Sequence, residues 1–317
     1  MNFFILQQEE VIALAQFDIK DAVLKKCLLK EGETVITVPD GVTTIGKDAL
    51  CGLQSVIAVT LPESLKVIND GAFYGCSSLT SVTLPGSVER LGSCAFAQCS
   101  ALNTIYLDNK LTEIGNSAFW GCTSLESIDI PAGITKIGYN LFGSCLSLIS
   151  VSLPDTVTEL DERAFKECTS LAYITLPDSL LKIGNMAFLN CHSLRSVNIP
   201  DRLESIGEKA FFMCESLNEL EIPDGIISVG GDAFSDCVSV TVRSTISGKP
   251  LYKAVTATDG SSAYNFILRN IWDKGGFDFT AQDNYFPALQ DENLQYAIAF
   301  SRLMYRVNLS AAAEEHY

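Results

Sequence analysis

The chain carries eleven cysteines, whose thiols could bind a metal ion, form disulfides or act as nucleophiles. Thiols that recur at one fixed spacing lie in file, one per structural repeat, so four of them cannot converge tetrahedrally on one zinc ion. Secreted disulfide frameworks also do not usually place cysteines in one repeating hydrophobic position. We therefore predict that the in-phase thiols are free and act as small buried apolar side chains. Eight cysteines recur every 23 residues: Cys76, Cys99, Cys122, Cys145, Cys168, Cys191, Cys214 and Cys237.

The other groups that could do chemistry are few. The cysteines outside the series are Cys27, Cys51 and Cys94, and the last two are also predicted to pack. Of the two histidines, His192 follows a cysteine directly, but neighbouring residues in a turn point apart and no third group orients the imidazole. No glycine-rich phosphate loop and no isolated pair of carboxylates is present. We predict a protein that is not an enzyme and that holds no cofactor or metal.

A 23-residue repeat runs through most of the chain, and several residue types each recur at this same spacing. Proline recurs at this spacing from Pro39 to Pro223, with Asp108 as the one exception, and a glycine follows an aliphatic residue in seven units. Leu141-Phe142 and Ala49-Leu50 complete the series of an Ala-Phe pair. The pair itself stands at Ala72-Phe73, Ala95-Phe96, Ala118-Phe119, Ala164-Phe165, Ala187-Phe188, Ala210-Phe211 and Ala233-Phe234.

One unit, read from residue 79 to residue 101, predicts a closed coil. The segment SVTLP alternates polar and apolar residues, which is typical of a strand, and Pro85 ends it because proline has no N–H. Gly92 is expected to allow a sharp corner. The segment SCAFAQC is predicted to be a helical or 3₁₀ turn with Ala95, Phe96 and Cys99 facing inward. A single coil cannot bury its apolar face, so we expect nine coils to stack into parallel ladders about 4.8 Å apart.

The repeat resembles the leucine-rich repeats of the BspA and Treponema type over about residues 35–246. The resemblance implies an α/β solenoid, a right-handed superhelix of nine coils with a parallel sheet on its concave face, capped at both ends. It also implies a bacterial protein that works in binding or adhesion. The matching positions in one unit are Leu79, Val82, Leu84, Pro85, Val88, Leu91, Gly92, Ala95, Phe96 and Cys99.

Composition limits the partners. Aspartate and glutamate outnumber lysine and arginine by 38 to 22, for a formal charge of −16. This excess disfavours binding to nucleic acid and to anionic membrane surfaces. No apolar run approaches the roughly 20 residues of a membrane span, and the first ten residues do not form a signal peptide. We expect a cytoplasmic protein as the sequence is written, or a cell-surface or secreted one if a leader precedes it.

The two ends differ from the array. Residues 1–34 are predicted to form a strand-rich cap, with a short amphipathic element at Glu9 to Phe17 and a hairpin after it. Residues 35–246 form the repeats. Residues 247–317 are predicted to contain two helices that serve as a C-terminal cap, with a docking segment as the alternative.

Outward strand residues are the candidate binding site, because curved solenoids commonly bind on the concave sheet. Tyrosines offer large rigid contact areas and carboxylates favour a basic or hydroxyl-rich partner. We predict a monomeric protein-binding scaffold with a protein or glycoprotein partner. The alternatives are a cell-surface adhesin, a purely structural spacer, and an enzyme or enzyme subunit formed by residues 247–317. The candidate partner-binding residues are Tyr106, Asp129, Tyr173, Asn198, Glu219 and Glu221.

Overall fold

A computed structural model describes residues 15–217, 219–223, 226–234, 236–237 and 241–244. Within this part, each 23-residue unit forms one coil of a β-solenoid, and about nine coils stack in register. A coil has two short strands on different sides, which we call the first wall and the second wall. A segment of turns, the third wall, follows the second strand and leads back to the next coil. The predicted C-terminal helices lie outside the described residues.

Each coil contributes one strand to the first wall, and in that strand a buried central residue is flanked by residues that point outward. Its strands are β3 (Val35–Thr37), β5 (Ala58–Thr60), β7 (Ser81–Thr83), β9 (Thr104–Tyr106), β11 (Ser127–Asp129), β13 (Ser150–Ser152), β15 (Tyr173–Ile174), β17 (Ser196–Val197), β19 (Glu219–Ile222) and β21 (Thr241–Ser244). These strands pair in parallel within three groups, β3 to β9, β11 with β13, and β15 to β21. The step is 23 residues, as in Val82 with Val59 and with Ile105, except between β19 and β21, where it is 22.

The second wall begins with a hairpin, which confirms the hairpin predicted after residue 17. Strand β1 (Gln16–Lys20) pairs antiparallel with β2 (Val23–Leu28), and β2 then pairs in parallel with the first strand of the array. The remaining strands are β4 (Thr44–Ile45), β6 (Val67–Ile68), β8 (Arg90–Leu91), β10 (Glu113–Ile114), β12 (Lys136–Ile137), β14 (Glu159–Leu160), β16 (Lys182–Ile183), β18 (Ser205–Ile206) and β20 (Ser228–Val229).

The third wall contains no helix in the described residues, so the predicted helical or 3₁₀ turn at SCAFAQC is wrong. The amides of Ala95, Ala97 and Cys99 form isolated turns with carbonyls three residues back, and the amides that alternate with them donate to the next coil. The amides of Cys94, Phe96 and Gln98 donate to carbonyls 22 residues further along, at 2.9, 2.8 and 2.7 Å. Cys94 and Gln98 adopt left-handed backbone conformations, with φ of 54° and 60°. A helix would direct these amides into its own preceding turn, whereas this backbone directs them to the neighbouring coil.

The interior consists of side chains that repeat with the coil. Eight phenylalanines stack in one column from Phe73 to Phe234, with ring centroids 4.9–5.9 Å apart and interplanar angles of 4–14°. All eight are at most 3% exposed. Identical units must place identical side chains above one another, and a flat ring fills the spacing between coils without a void.

The glycine that follows the second-wall strand in seven coils has a different role from the one predicted. Gly92, Gly115 and Gly207 do not have a positive φ. A Cβ atom at Gly115 would lie 2.3 Å from the backbone nitrogen of Ser93, and one at Gly207 would lie 2.4 Å from that of Asn185. At these positions the preceding coil approaches the backbone too closely for a side chain, whereas two coils place Asn69 and Asp161 at the corresponding position.

Candidate functional site

The eight in-phase cysteines form a hydrogen-bonded file in the core. Seven of the thiols donate a hydrogen bond to the backbone carbonyl of the phenylalanine in the preceding coil. The eighth, Cys76, donates to the backbone carbonyl of Leu50, which takes the place of that phenylalanine. The S···O distances are 3.0–3.2 Å. Because each sulfur is directed at a carbonyl oxygen, the thiols do not converge on a common point.

Burial raises the pKa of the seven buried thiols of this file, from Cys76 to Cys214, and keeps them protonated. It raises the pKa of Cys76, Cys145 and Cys191 to about 12, well above neutrality, so the nucleophilic thiolate is not populated there. No cysteine forms a disulfide. No group of three or more metal-binding side chains occurs in the described residues. The prediction of free thiols that serve as packing groups is confirmed for the in-phase series, whereas the prediction that Cys51 packs is wrong, because Cys51 is exposed.

His192 and Cys191 do not form a reactive pair. The thiol of Cys191 donates to the carbonyl of Phe165, and His192 lies at the surface with Nδ1 3.5 Å from Glu215 Oε1. A cysteine nucleophile needs a base within hydrogen-bonding reach, and this geometry does not supply one.

The outward side of the second wall carries charged residues that pair across coils. Every coil from Lys66 to Glu204 contributes at least one charged side chain to it. Arg90 Nε lies 3.0 Å from Glu113 Oε2, and the ammonium groups of Lys136 and Lys182 lie 3.3 and 2.8 Å from the Glu159 carboxylate. Charges of opposite sign thus face each other on adjacent strands, which supports the register of the stack.

The lysines alter the titration of the carboxylates beside them. Partial burial alone would raise the pKa of Glu159, but hydrogen bonds from Lys182 and Lys136 outweigh it and hold that pKa below its usual value. The pKa of Asp161 is lowered in the same way, against partial burial, by the hydrogen bond from Lys136 and one from the Glu162 amide. This wall is therefore charged near neutral pH, and from Lys66 to Lys182 its charges are paired across coils.

The outward side of the first wall has a different composition. We define the first-wall face as the residue before each strand and the two outward residues that flank its buried central residue, from Thr34 to Asn198. From Thr34 to Tyr106 it has no charged side chain and consists mostly of serine and threonine. The charged residues on the whole face are Glu126, Asp129 and Arg195.

Large apolar side chains are exposed on the same face. Tyr106 is 72% exposed and Tyr173 is 56% exposed, and neither ring is covered by a neighbouring coil. Val35, Ile57 and Ile149 are also exposed at 44–55%. Tyrosine is enriched and charged residues are depleted in the centres of protein interfaces, so this composition is typical of a binding surface.

The candidate site residues are brought together only in part. Tyr106 and Asp129 occupy the same position in adjacent coils, and Tyr173 lies further along the same face. The side-chain amide of Asn198 is occupied, because it both donates to and accepts from the backbone of Leu176 at 2.9 Å. Glu219 and Glu221 lie in β19, and their side chains are outside the described part of the structure.

Sequence reasoning missed Glu126 and Ile149, which are both exposed on this face. Each residue directly precedes a strand. A strict alternation places it on the inner side, but the chain turns a corner there and the side chain reaches solvent. The available signal was polarity: the corresponding residues of other coils include Thr80, Asn103 and Arg195, which are poor core residues.

Comparison with known families places the chain. The BspA type leucine rich repeat region matches residues 18–149 and 135–250 in six copies. The chain belongs to the BspA-type leucine-rich repeat family. The resemblance expected from the repeat pattern is thus confirmed, and the parallel-sheet solenoid agrees with it. A comparison with curated proteins finds no match.

Several solved structures resemble this BspA-type protein. A leucine-rich repeat protein from Bacteroides ovatus ATCC 8483 is 21% identical with a TM-score of 0.50, over 78% of this chain and 90% of that chain. The T. pallidum leucine rich repeat protein is 30% identical with a TM-score of 0.49, over 64% and 88%. A leucine rich cell surface protein from Faecalibacterium prausnitzii A2-165 is 24% identical with a TM-score of 0.44, over 77% and 96%.

The family and the fold indicate a repeat scaffold of a kind that is generally non-enzymatic. The described residues contain no helix that is long and apolar enough to cross a membrane.

Proposed function

We propose that this protein is a non-enzymatic scaffold that binds a partner protein through its first-wall face. The observation that supports this most strongly is the separation of charge between the walls. In a chain with a formal charge of −16, the first-wall face has no charged side chain over its first four coils, whereas the second wall is charged in every coil from Lys66 to Glu204.

Exposed tyrosines supply the anchors that such an interface needs. A tyrosine presents a large contact area with few rotatable bonds, and its hydroxyl group can hydrogen-bond at the edge of the contact. Tyr106 and Tyr173 lie three coils apart along the stack, about 14 Å at 4.8 Å per strand. The residues between them include three serines, Ser127, Ser150 and Ser152, whose small side chains let a partner approach the strands closely.

The test is a comparison of three tyrosines in the full chain. Tyr106→Ala and Tyr173→Ala remove the proposed anchors, and Tyr74→Ala removes an exposed tyrosine from the third wall as a matched control. Each purified variant is used to capture proteins from an extract of the producing organism, with quantitative mass spectrometry of what is retained. We expect one protein to be retained by the wild type and the control and depleted at least tenfold with either anchor variant.

Equal retention by all four forms would contradict the proposal and would favour the structural spacer. A retained partner that is a surface glycoprotein would favour the adhesin alternative. The cytoplasmic location and the monomeric state expected from the sequence stay predictions.

A further inference from the structure

The first-wall face carries two carboxylates that have no cationic partner. Glu126 and Asp129 stand at either end of β11, both exposed, and they are the two acidic residues of this face between Thr34 and Asn198. In the part of the chain that the structure describes, no lysine or arginine nitrogen lies within 4.0 Å of either one. The second wall differs, because its carboxylate at Glu159 contacts two lysines.

Apolar groups flank these carboxylates on both sides. Tyr106, the more exposed of the two tyrosines, occupies the position of Asp129 in the preceding coil, and β9 and β11 are in contact. Ile149, 55% exposed, follows Glu126 in the next coil, where its amide donates to the Glu126 carbonyl at 2.8 Å. The serines at the corresponding outward positions are too small to screen the charges from a partner.

The arginine of this face does not neutralise the pair. Arg195 belongs to the coil three steps beyond β11, about 14 Å away at the strand spacing, and its Nη1 lies 3.4 Å from the hydroxyl group of Tyr173. At that distance an exposed charge is substantially screened at physiological salt. Glu126 and Asp129 thus form an isolated negative centre on an otherwise neutral hydroxyl and aromatic surface.

We propose that this centre recognises a lysine or arginine side chain that a partner protein presents between apolar residues. The cation would contact Asp129, and the Tyr106 ring, which occupies the equivalent position in the preceding coil, would add a cation–π contact on one side. Glu126, at the other end of β11, would add to the attraction through its charge. Ile149 would contact a neighbouring apolar residue of the partner. This inference rests on the proposed function, and it adds the chemistry of the partner.

The test uses random 12-residue peptides displayed on phage and selected on the immobilised full chain. Selections are repeated with Glu126→Gln/Asp129→Asn, with Tyr106→Ala/Tyr173→Ala, and with Glu204→Gln/Asp178→Asn. The last variant removes two exposed carboxylates outside the first-wall face, so it matches the change in net charge. Selected peptides are then synthesised and their affinities are measured at two salt concentrations.

We expect the wild type and the matched control to enrich peptides with lysine or arginine next to apolar residues. Affinity should fall at least tenfold with Glu126→Gln/Asp129→Asn and should weaken as salt rises. This inference would be overturned by selected peptides that lack basic residues and whose affinity falls with the tyrosine variant but not with the carboxylate variant. That result would leave the proposed function standing. Peptides insensitive to the tyrosine variant would overturn the proposed function as well. A selection that enriches no peptide on the wild type would also count against the inference.

Discussion

The first and second walls come from the same repeat and share one core, yet their outward residues follow different rules. On the second wall, Arg90, Glu113, Lys136, Glu159 and Lys182 alternate in sign, and contacts across neighbouring strands use these charges. On the first wall, the outward residues are mostly small and hydroxylated. Folding constrains the inward residues of both walls alike, so the shared core does not account for the contrast between their outward residues.

The largest expected effect comes from the core that both walls share. Phe142 stacks between Phe119 and Phe165 at 5.7 and 5.4 Å and is fully buried. Phe142→Ala should lower the free energy of unfolding by about 3–5 kcal/mol, through lost apolar burial and the cavity left behind. Urea denaturation measures this loss, with Tyr106→Ala as the exposed control. A loss below about 1 kcal/mol would mean that the column does not hold the coils together.

The next effect tests the close approach of coils behind the second wall. Gly115→Ala places a Cβ atom 2.3 Å from the Ser93 nitrogen, so the backbone must shift at a cost of up to about 3 kcal/mol. Gly86→Ala is the matched control, because its nearest neighbour would be a carboxylate oxygen at 3.4 Å. Thermal unfolding of the two variants should separate them clearly. Equal melting temperatures would show that the glycine is not needed for packing between coils.

On the first wall, the expected effect is on binding and not on stability. Tyr106→Ala should weaken the binding of the captured partner by about 2 kcal/mol, a roughly 30-fold increase in Kd, as is typical of an interface anchor. Its free energy of unfolding should change by less than about 0.5 kcal/mol, because the ring is largely exposed. Isothermal titration calorimetry and denaturation measure the two quantities. A destabilised variant with unchanged affinity would reverse the roles assigned to the walls.

On the second wall, the opposite combination is expected. Glu159→Gln should cost about 0.5–1 kcal/mol of stability at neutral pH, since the pairs with Lys136 and Lys182 are partly exposed, and it should leave partner binding unchanged. The pKa of Glu159 is lower in the folded chain than its ordinary value of 4.5, so its contribution is present above that value. It is lost as the pH falls through the lowered folded pKa. Denaturation at pH values from 7 to 3 should therefore show that the stability difference between the wild type and Glu159→Gln disappears in acid. A difference that increased in acid would contradict the stabilising role of these ion pairs.

The smallest effect concerns the thiols, which belong to neither outward face. Cys51 is exposed and Cys94 half-buried, whereas seven of the eight in-phase thiols are buried and the last, Cys237, is half-buried. A thiol reagent should label Cys51, Cys94 and Cys237 before the buried thiols in the native protein, and Cys51→Ala/Cys94→Ala should leave Cys237 as the main site of labelling until the chain unfolds. Mass spectrometry of labelled peptides identifies the sites. Rapid native labelling of Cys145 would contradict the hydrogen-bonded file.

The repeating core was predictable from sequence because its side chains are large, apolar and strictly periodic. The column of phenylalanines, the file of thiols and the parallel ladders follow from that spacing. The third wall was not predictable, because left-handed positions such as Arg163 and Met186 carry residues that usually adopt helical backbones. Only the hydrogen bonds to the next coil, which a neighbouring unit supplies, select that conformation there.

The candidate site was predictable to a smaller extent. Alternation along the strands placed Tyr106, Asp129 and Tyr173 on one face, and the structure places them there. It could not reveal that the Asn198 amide binds the backbone of Leu176, because that contact joins residues 22 apart through the stacking of coils. The exposure of Ile149 depends on a corner of the chain, which a strand pattern does not encode.

Hydroxyl-radical footprinting of the full chain with its captured partner measures the solvent access of individual side chains, so it tests directly whether the first-wall face is the binding surface. We expect Tyr106 and Tyr173 to lose most of their oxidation in the complex, while Tyr74 on the third wall and Leu181 on the second wall keep theirs. Protection of Leu181 or Tyr74 with unchanged oxidation of Tyr106 and Tyr173 would contradict this assignment of the binding surface.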